Sequence, residues 1–303
     1  MSANTLRFGI AAMLAALSAI AVADERDTIL KELDAVKAHF ASVKGVEELT
    51  QTFPTRGDRL TKDNSFTRTD VCTWMAKGDK TNMTWPAKYG TSGRDLYWGE
   101  TAFYKILTTE APFEPPHISI YWMPGSKNRD VVLLNFGLKY GDDWLGDLLR
   151  SGALRVDEHR EDATWGPIVT LKGEKEGVPL RFDLAIDKHY LAVLSVQTES
   201  GHRSEFLVEE SELVSGYPFP KKARMTRRST VGEMPSDEPS GENLIWLLAI
   251  KATETSVAPL DDSVFELPKP VPGMIIWNVL ERTRYKIGPN GEHVDLPYTE
   301  PIM

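Results

Sequence analysis

The chain has 303 residues, 41% of them hydrophobic and 26% charged, with a formal net charge of −9 and a single cysteine. That acidity argues against nucleic-acid binding and against coating an anionic membrane surface, since both need a basic face. Cys72 alone cannot form an intramolecular disulfide, so the core must stabilise the fold, which a chain this long can manage.

Arg7 is the only charge before Asp24, and it opens an apolar run from Phe8 to Ile20. Ala21-Val22-Ala23 follows as a small-x-small pattern, and then the charged stretch Asp24-Glu25-Arg26-Asp27. Residues 1–23 therefore read as a cleavable signal peptide, cut after Ala23, which sends the chain to the periplasm or another extracytoplasmic space. The run is shorter than the roughly 20 apolar residues of a spanning helix.

Residues 26–50 predict an amphipathic helix, with Ile29, Leu33, Val36, Phe40 and Val43 on one stripe and Gly45 as a kink or stop. From about residue 56 the apolar period becomes two. Strands are expected at Ser65–Met75, Lys80–Trp85 (stopped by Pro86), Leu96–Trp98, Thr101–Thr108 and Ile118–Trp122. Val131–Phe136 reads as a strand buried on both faces. Asp142 to Leu149 predicts a short helix with an Asp cap, ending near Gly152. Strand patterns resume at Ile168–Leu171, Leu180–Ile186, Tyr190–Val196, Arg203–Glu209, Lys222–Thr230 and Asn243–Thr253. In the second of these, Leu180, Phe182, Leu184 and Ile186 alternate with Arg181, Asp183, Ala185 and Asp187, the pattern of a half-buried strand. Turns are expected at Asp187-Lys188-His189, Ser200-Gly201 and Tyr217-Pro218, with a loop over 233–241.

The expected fold is β-dominated α+β: one helix packed on a curved antiparallel meander, spanning residues 24–270. Residues 271–303 form a hairpin-like extension from Trp277 to Ile287, with an Asn290-Gly291 turn and a tail.

Three stretches carry a family resemblance: Gly166–Thr198 (GPIVTLKGEKEGVPLRFDLAIDKHYLAVLSVQT), Leu207–Pro220 (LVEESELVSGYPFP) and Asp261–Pro268 (DDSVFELP). With the helix-then-meander order, they make the chain similar to the LolA/LolB-like periplasmic lipoprotein-carrier superfamily, as a larger, divergent exported member. The resemblance implies an open half-barrel with the helix as a lid over its mouth, and an apolar cavity for a lipid or the acyl chain of a lipoprotein. It implies no cofactor and no chemistry. The chain departs from the compact carriers by extra material at 109–165, including the Pro112–Pro116 loop, and by the unit after 270. The Arg that helps latch the carriers' lid has no matching position.

Candidate cavity residues are Trp74, Met83, Trp85, Tyr104, Ile106, Ile120, Trp122, Phe182, Leu184 and Ile186, with Leu33, Val36 and Phe40 from the lid helix. The competing reading of the same aromatics is a filled core, which suits an envelope interaction or sensor module that docks a partner protein. Metal chemistry finds no support. His39, His117, His159, His189, His202 and His293 lack i,i+4 spacing, and Asp157-Glu158-His159 alternates across a strand as a solvated surface. No Gly-x-Ser-x-Gly elbow or phosphate loop is present, which leaves an envelope hydrolase without a motif. Cys72 reads as a buried structural thiol. Asn82-Met83-Thr84 matches a glycosylation acceptor, a triplet frequent by chance.

Overall fold

A computed structural model of the chain describes residues 25–55, 65–88, 91–98, 102–109, 117–123, 139–140, 143–199, 201–229 and 243–299. The stretches expected to be a signal peptide (1–23), the Pro112–Pro116 loop, a strand over 131–136 and a loop over 233–241 lie outside the described residues.

Helix α1 spans 25–39, and the chain turns at Phe40-Ala41 into strand β1 (Ser42–Pro54). The helix expected to reach residue 50 is therefore shorter, and its last third is a strand. The apolar positions Val43, Val46 and Leu49 lie three apart and mimic a helical stripe. The inner positions of the strand are Val43, Gly45, Glu47 and Leu49, all buried, and the glycine and glutamate conceal the alternation.

The first arm of the sheet continues with β2 (Ser65–Lys77), β3 (Lys80–Lys88), β4 (Thr91–Trp98), β5 (Ala102–Thr109) and β6 (His117–Met123). A short ladder, β7 (Lys139–Tyr140) and β8 (Asp143–Trp144), leads into helix α2 (Leu145–Ser151). The second arm is β9 (Leu154–Asp162), β10 (Gly166–Lys175), β11 (Val178–Ala185), β12 (Leu191–Glu199), β13 (His202–Val214), β14 (Tyr217–Ser229) and β15 (Asn243–Val257). The chain ends with β16 (Ile275–Asn278), β17 (Thr283–Ile287) and β18 (His293–Asp295).

These strands form one 16-stranded sheet in the order β18-β17-β16-β6-β5-β4-β3-β2-β1-β15-β14-β13-β12-β11-β10-β9. It is open, with edges at β9 and β18, and curved, so the fold is an α+β half-barrel. Two antiparallel meanders replace the single one expected. They join where β15 returns to pair with β1, from Val43–Val257 to Thr52–Leu247. Bulges at Val46/Glu47 in that pair and at Asp183/Leu184 and Thr170/Leu171 farther along bend the sheet.

The β6–β16 pair is parallel, which requires a crossover. Residues 258–274 supply it along the outer face. Lys77 donates to the Leu260 carbonyl (2.9 Å) and the Asn82 amide to the Val264 carbonyl (2.7 Å). Arg94 donates to the same carbonyl and, through Nε, to Asn82 Oδ1 (3.1 Å). Both polar atoms of the buried Asn82 side chain are thus engaged, and the glycosylation reading fails on access.

Three local expectations change. Strand β3 does not stop at Pro86 but runs through it to Lys88, which pairs with Thr91. The Tyr217-Pro218 turn lies inside β14, and the reversal is made by Ser215 and Gly216, at φ 50° and 94°. Pro218 and Pro220 are tolerated because β15 pairs with β14 only from Lys222 onward, which leaves that stretch a local edge. Helix α2 has no Asp cap: Trp144 is its N-cap, without a side-chain bond, and Asp143 pairs with Lys175 instead. Its end is as expected, at Gly152 with φ 82°.

Helix α1 is held mainly by burial. Ile29, Leu33, Val36 and Phe40 are all at most 4% exposed, and each contributes about 1.5–3 kcal/mol. The exposed ion pairs Arg150–Asp34 (2.7 Å) and Lys37–Asp147 (2.7 Å) join it to α2, and such pairs are worth about 0–1 kcal/mol. Phe40, centred 5.4 Å from Phe219, is the largest side chain of this stripe. Phe40→Ala is expected to lower the unfolding free energy by about 3–5 kcal/mol, read from the urea midpoint. A loss below about 1 kcal/mol would contradict this packing.

Candidate functional site

The sheet has an inner face, against α1 and α2, and an outer face. Register assigns each strand position to one or the other. Trp74 lies on the inner face opposite Gly45 and Met83, and packs near Phe219 with ring centroids 6.1 Å apart. A Cβ at position 45 would come within 2.8 Å of the Trp74 ring and 2.7 Å of the Glu254 carbonyl, so glycine is required there.

The expected cavity residues separate into three groups. Trp74, Met83, Phe182 and Leu184 are at most 2% exposed on the inner face, with Trp85 and Ile186 partly buried beside them. They pack directly against the helices. Val36 and Phe40 belong with Trp74 and Met83, whereas Ile29 and Leu33 join Phe182, Leu184 and the α2 leucines. Ile106 faces the other way, into an outer-face cluster with Leu96, Met274 and Ile287 that the crossover covers. Tyr104, Ile120 and Trp122 lie in β5 and β6, paired as Ile106–Ile120 and Tyr104–Trp122, and their side chains are outside the described residues.

The half-buried reading of β11 holds for its inner face alone. On the outer face Asp183 and Ala185 are fully buried. Burial pushes the Asp183 carboxyl up, but hydrogen bonds from Arg181 (3.0 Å), Arg160 (3.0 Å) and Thr170 (2.9 Å) outweigh it and hold the carboxyl below its ordinary range. This network ties β9, β10 and β11 together as a structural unit.

Helix α1 is fastened at several points rather than by one arginine. Arg26 donates to the Leu149 and Arg150 carbonyls at 3.1 and 3.2 Å, capping α2. His39 Nε2 lies 2.9 Å from the Val214 carbonyl and its ring stacks on Tyr217 at 4.4 Å. His189 lies 3.0 Å from Glu32, and His159 pairs with Glu25. The Asp157-Glu158-His159 run is thus spent on ion pairs to α1, Lys172 and Arg181. Among the described residues, no three His, Cys, Asp or Glu groups converge as a metal set, and no helix is long and apolar enough to cross a membrane.

Both helices cover inner positions nearer the start of β1, and the opposite ends of β12–β15 hold a cleft of about 350 Å³. Its lining mixes chemistry: Gln197, Glu199, His202, Ser204 and Arg227 with Met225, Ile245 and Trp246. Register builds it in rows. Gln197, Ser204, Arg227 and Trp246 stand side by side on four successive strands, and Glu199 faces His202 at the rim. Phe53 and Phe66 pair on the neighbouring strands β1 and β2, rings 5.2 Å apart, with Phe66 48% exposed. Sequence reading missed this site. The available signal was the i,i+2 repeat of polar residues in β12 and β13 beside the basic run in β14, and it became visible only with the register.

Neither a family model nor a curated protein matches the chain. In fold it is similar to the crystal structure of a DUF1329 family protein from Desulfovibrio piger. The TM-score is 0.51 and the identity 12%, over 81% of this chain and 97% of that one. At this identity the likeness is one of fold.

Cys72 is fully buried on β2. Burial first, then the charges of Glu47 and Asp70, push its thiol up to about 12. The thiol is expected to resist an aromatic disulfide reagent at about pH 8 in the native protein and to react fully on denaturation. Rapid native labelling would contradict its placement.

Proposed function

We propose that the chain is an exported binding protein that shelters the hydrophobic part of a ligand, such as a lipid or a lipoprotein acyl chain, in the open end of its half-barrel. It acts by burial, without a cofactor and without covalent chemistry. The observation that carries this reading is the inner-face cleft beyond the helices, about 350 Å³ in volume and walled on one side by Trp246, Ile245 and Met225. That size lies within the range of small-molecule sites, which pair apolar walls with a few placed polar groups. The LolA-like fold supports the same reading, because it presents a curved sheet whose concavity is open at one end. Trp74, Phe182 and Leu184 do not line the cleft and belong to the closed core packed against the helices.

One observation favours a second reading, an envelope interaction or sensor module. The inner face beneath α1 and α2 is closed, with Trp74 and Leu184 at 0% exposure, as a filled core would be. Native mass spectrometry of residues 24–303, purified from an envelope fraction with lipid extraction in parallel, separates the two. The expected result is a co-purifying lipid of defined mass that Trp246→Asp removes while far-UV circular dichroism is unchanged. A bare protein mass, with no uptake of added acyl probes, would contradict the binding reading and favour the module.

A further inference from the structure

We infer that the ligand of this cleft is an amphiphile with an anionic head group, held by Arg227 with its apolar part along Trp246 and the Phe53–Phe66 pair. The inference rests on the binding reading above and adds the chemistry of the head.

Arg227 lies mid-row between Ser204 and Trp246. Two other basic residues of β14 are matched across to β13: Arg224 pairs with Glu209 (3.7 Å) and Lys222 with Glu210. Arg227 has no ion pair among the described residues. Among the described residues that line the cleft the one carboxylate is Glu199, exposed at the rim opposite His202, two strands away from Arg227. Strands lie about 4.8 Å apart, so Glu199 stands roughly 10 Å from Arg227 across the sheet. A second polar atom is also unspent: His202 Nδ1 is buried with no hydrogen-bond partner. Gln197 and Ser204 add neutral donors beside these two.

The polar groups occupy β12 to β14, while β15, β1 and β2 carry Trp246, Phe53 and Phe66. One end of the row is cationic and hydrogen-bonding, and the other is aromatic and partly exposed. Arg227 is exposed, so a neutral hydrocarbon laid over it would strip its guanidinium of water and give nothing in return. A small inorganic anion would leave the aromatics uncovered. An anionic amphiphile satisfies both halves, with the guanidinium taking a carboxylate or phosphate by charge-assisted hydrogen bonds.

The test is a fluorescence titration of the full chain with dansylaminoundecanoic acid and with its methyl ester, which share a tail and differ in head charge. The acid is expected to bind at least about tenfold more tightly, the scale of one charge-assisted hydrogen bond. Arg227→Gln should reduce the acid to the ester's affinity, and Arg224→Gln, on the outer face, should preserve the difference. Equal binding of acid and ester would overturn the anionic head while leaving the binding reading intact. Failure of both probes to bind would overturn that reading as well. Binding of acetate as tight as that of the long acid would overturn the amphiphile in favour of a bare anion site.

Discussion

A curved sheet of sixteen strands has an inner face that must be covered, and in this chain the cover is the apolar stripe of α1 set across the strands. Ile29 and Leu33 reach the second arm and α2, and Val36 and Phe40 reach the junction of the two arms at β1 and β15. Among the described residues, the helix is thus the one element with buried side chains in both clusters of the inner core. Its placement also decides what stays open. A helix of this length spans about 22 Å at 1.5 Å per residue, which covers one end of long strands and leaves the other. The cleft at the far ends of β12–β15 follows from that mismatch.

Much of this architecture is legible in the sequence. The strands from β2 to β6 and from β10 to β15 announce themselves in the sequence, the charged β9 does not, and Gly152 marks the end of α2. The central strand does not, because Gly45 and Glu47 occupy two of its inner positions. Gly45 is there to admit the Trp74 ring, a contact between strands that no local pattern encodes. Losing β1 to a helix also hid the pairing with β15, and with it the two-arm topology.

The site was less legible for the same reason. Aromatic richness points to Trp74 and Met83, which are the floor of the core, and to Ile106, which faces the crossover on the outer side. The mouth is made of Gln197, His202, Ser204 and Arg227, residues that look like an ordinary solvated strand face until the strands are set in register. Two basic side chains of β14 illustrate the point: Arg224 and Arg227 are three apart in sequence, and alternation sends them to opposite faces. The resemblance to lipoprotein carriers agrees with the half-barrel and its likeness to a DUF1329 structure at the level of fold. Helix α1 is fastened through Arg26, His39 and the Asp34–Arg150 pair.

The central claim is that a ligand occupies the mouth while the core beneath the helix stays closed. Hydrogen–deuterium exchange with and without a bound acyl probe tests it most directly. The account predicts protection confined to the far ends of β12–β15, around residues 197–204, 225–229 and 243–246, with α1 unchanged. Faster exchange across residues 25–39 on binding, with protection shifted to the strands that carry Trp74 and Phe182, would mean that the helix lifts to admit the ligand, and would contradict it.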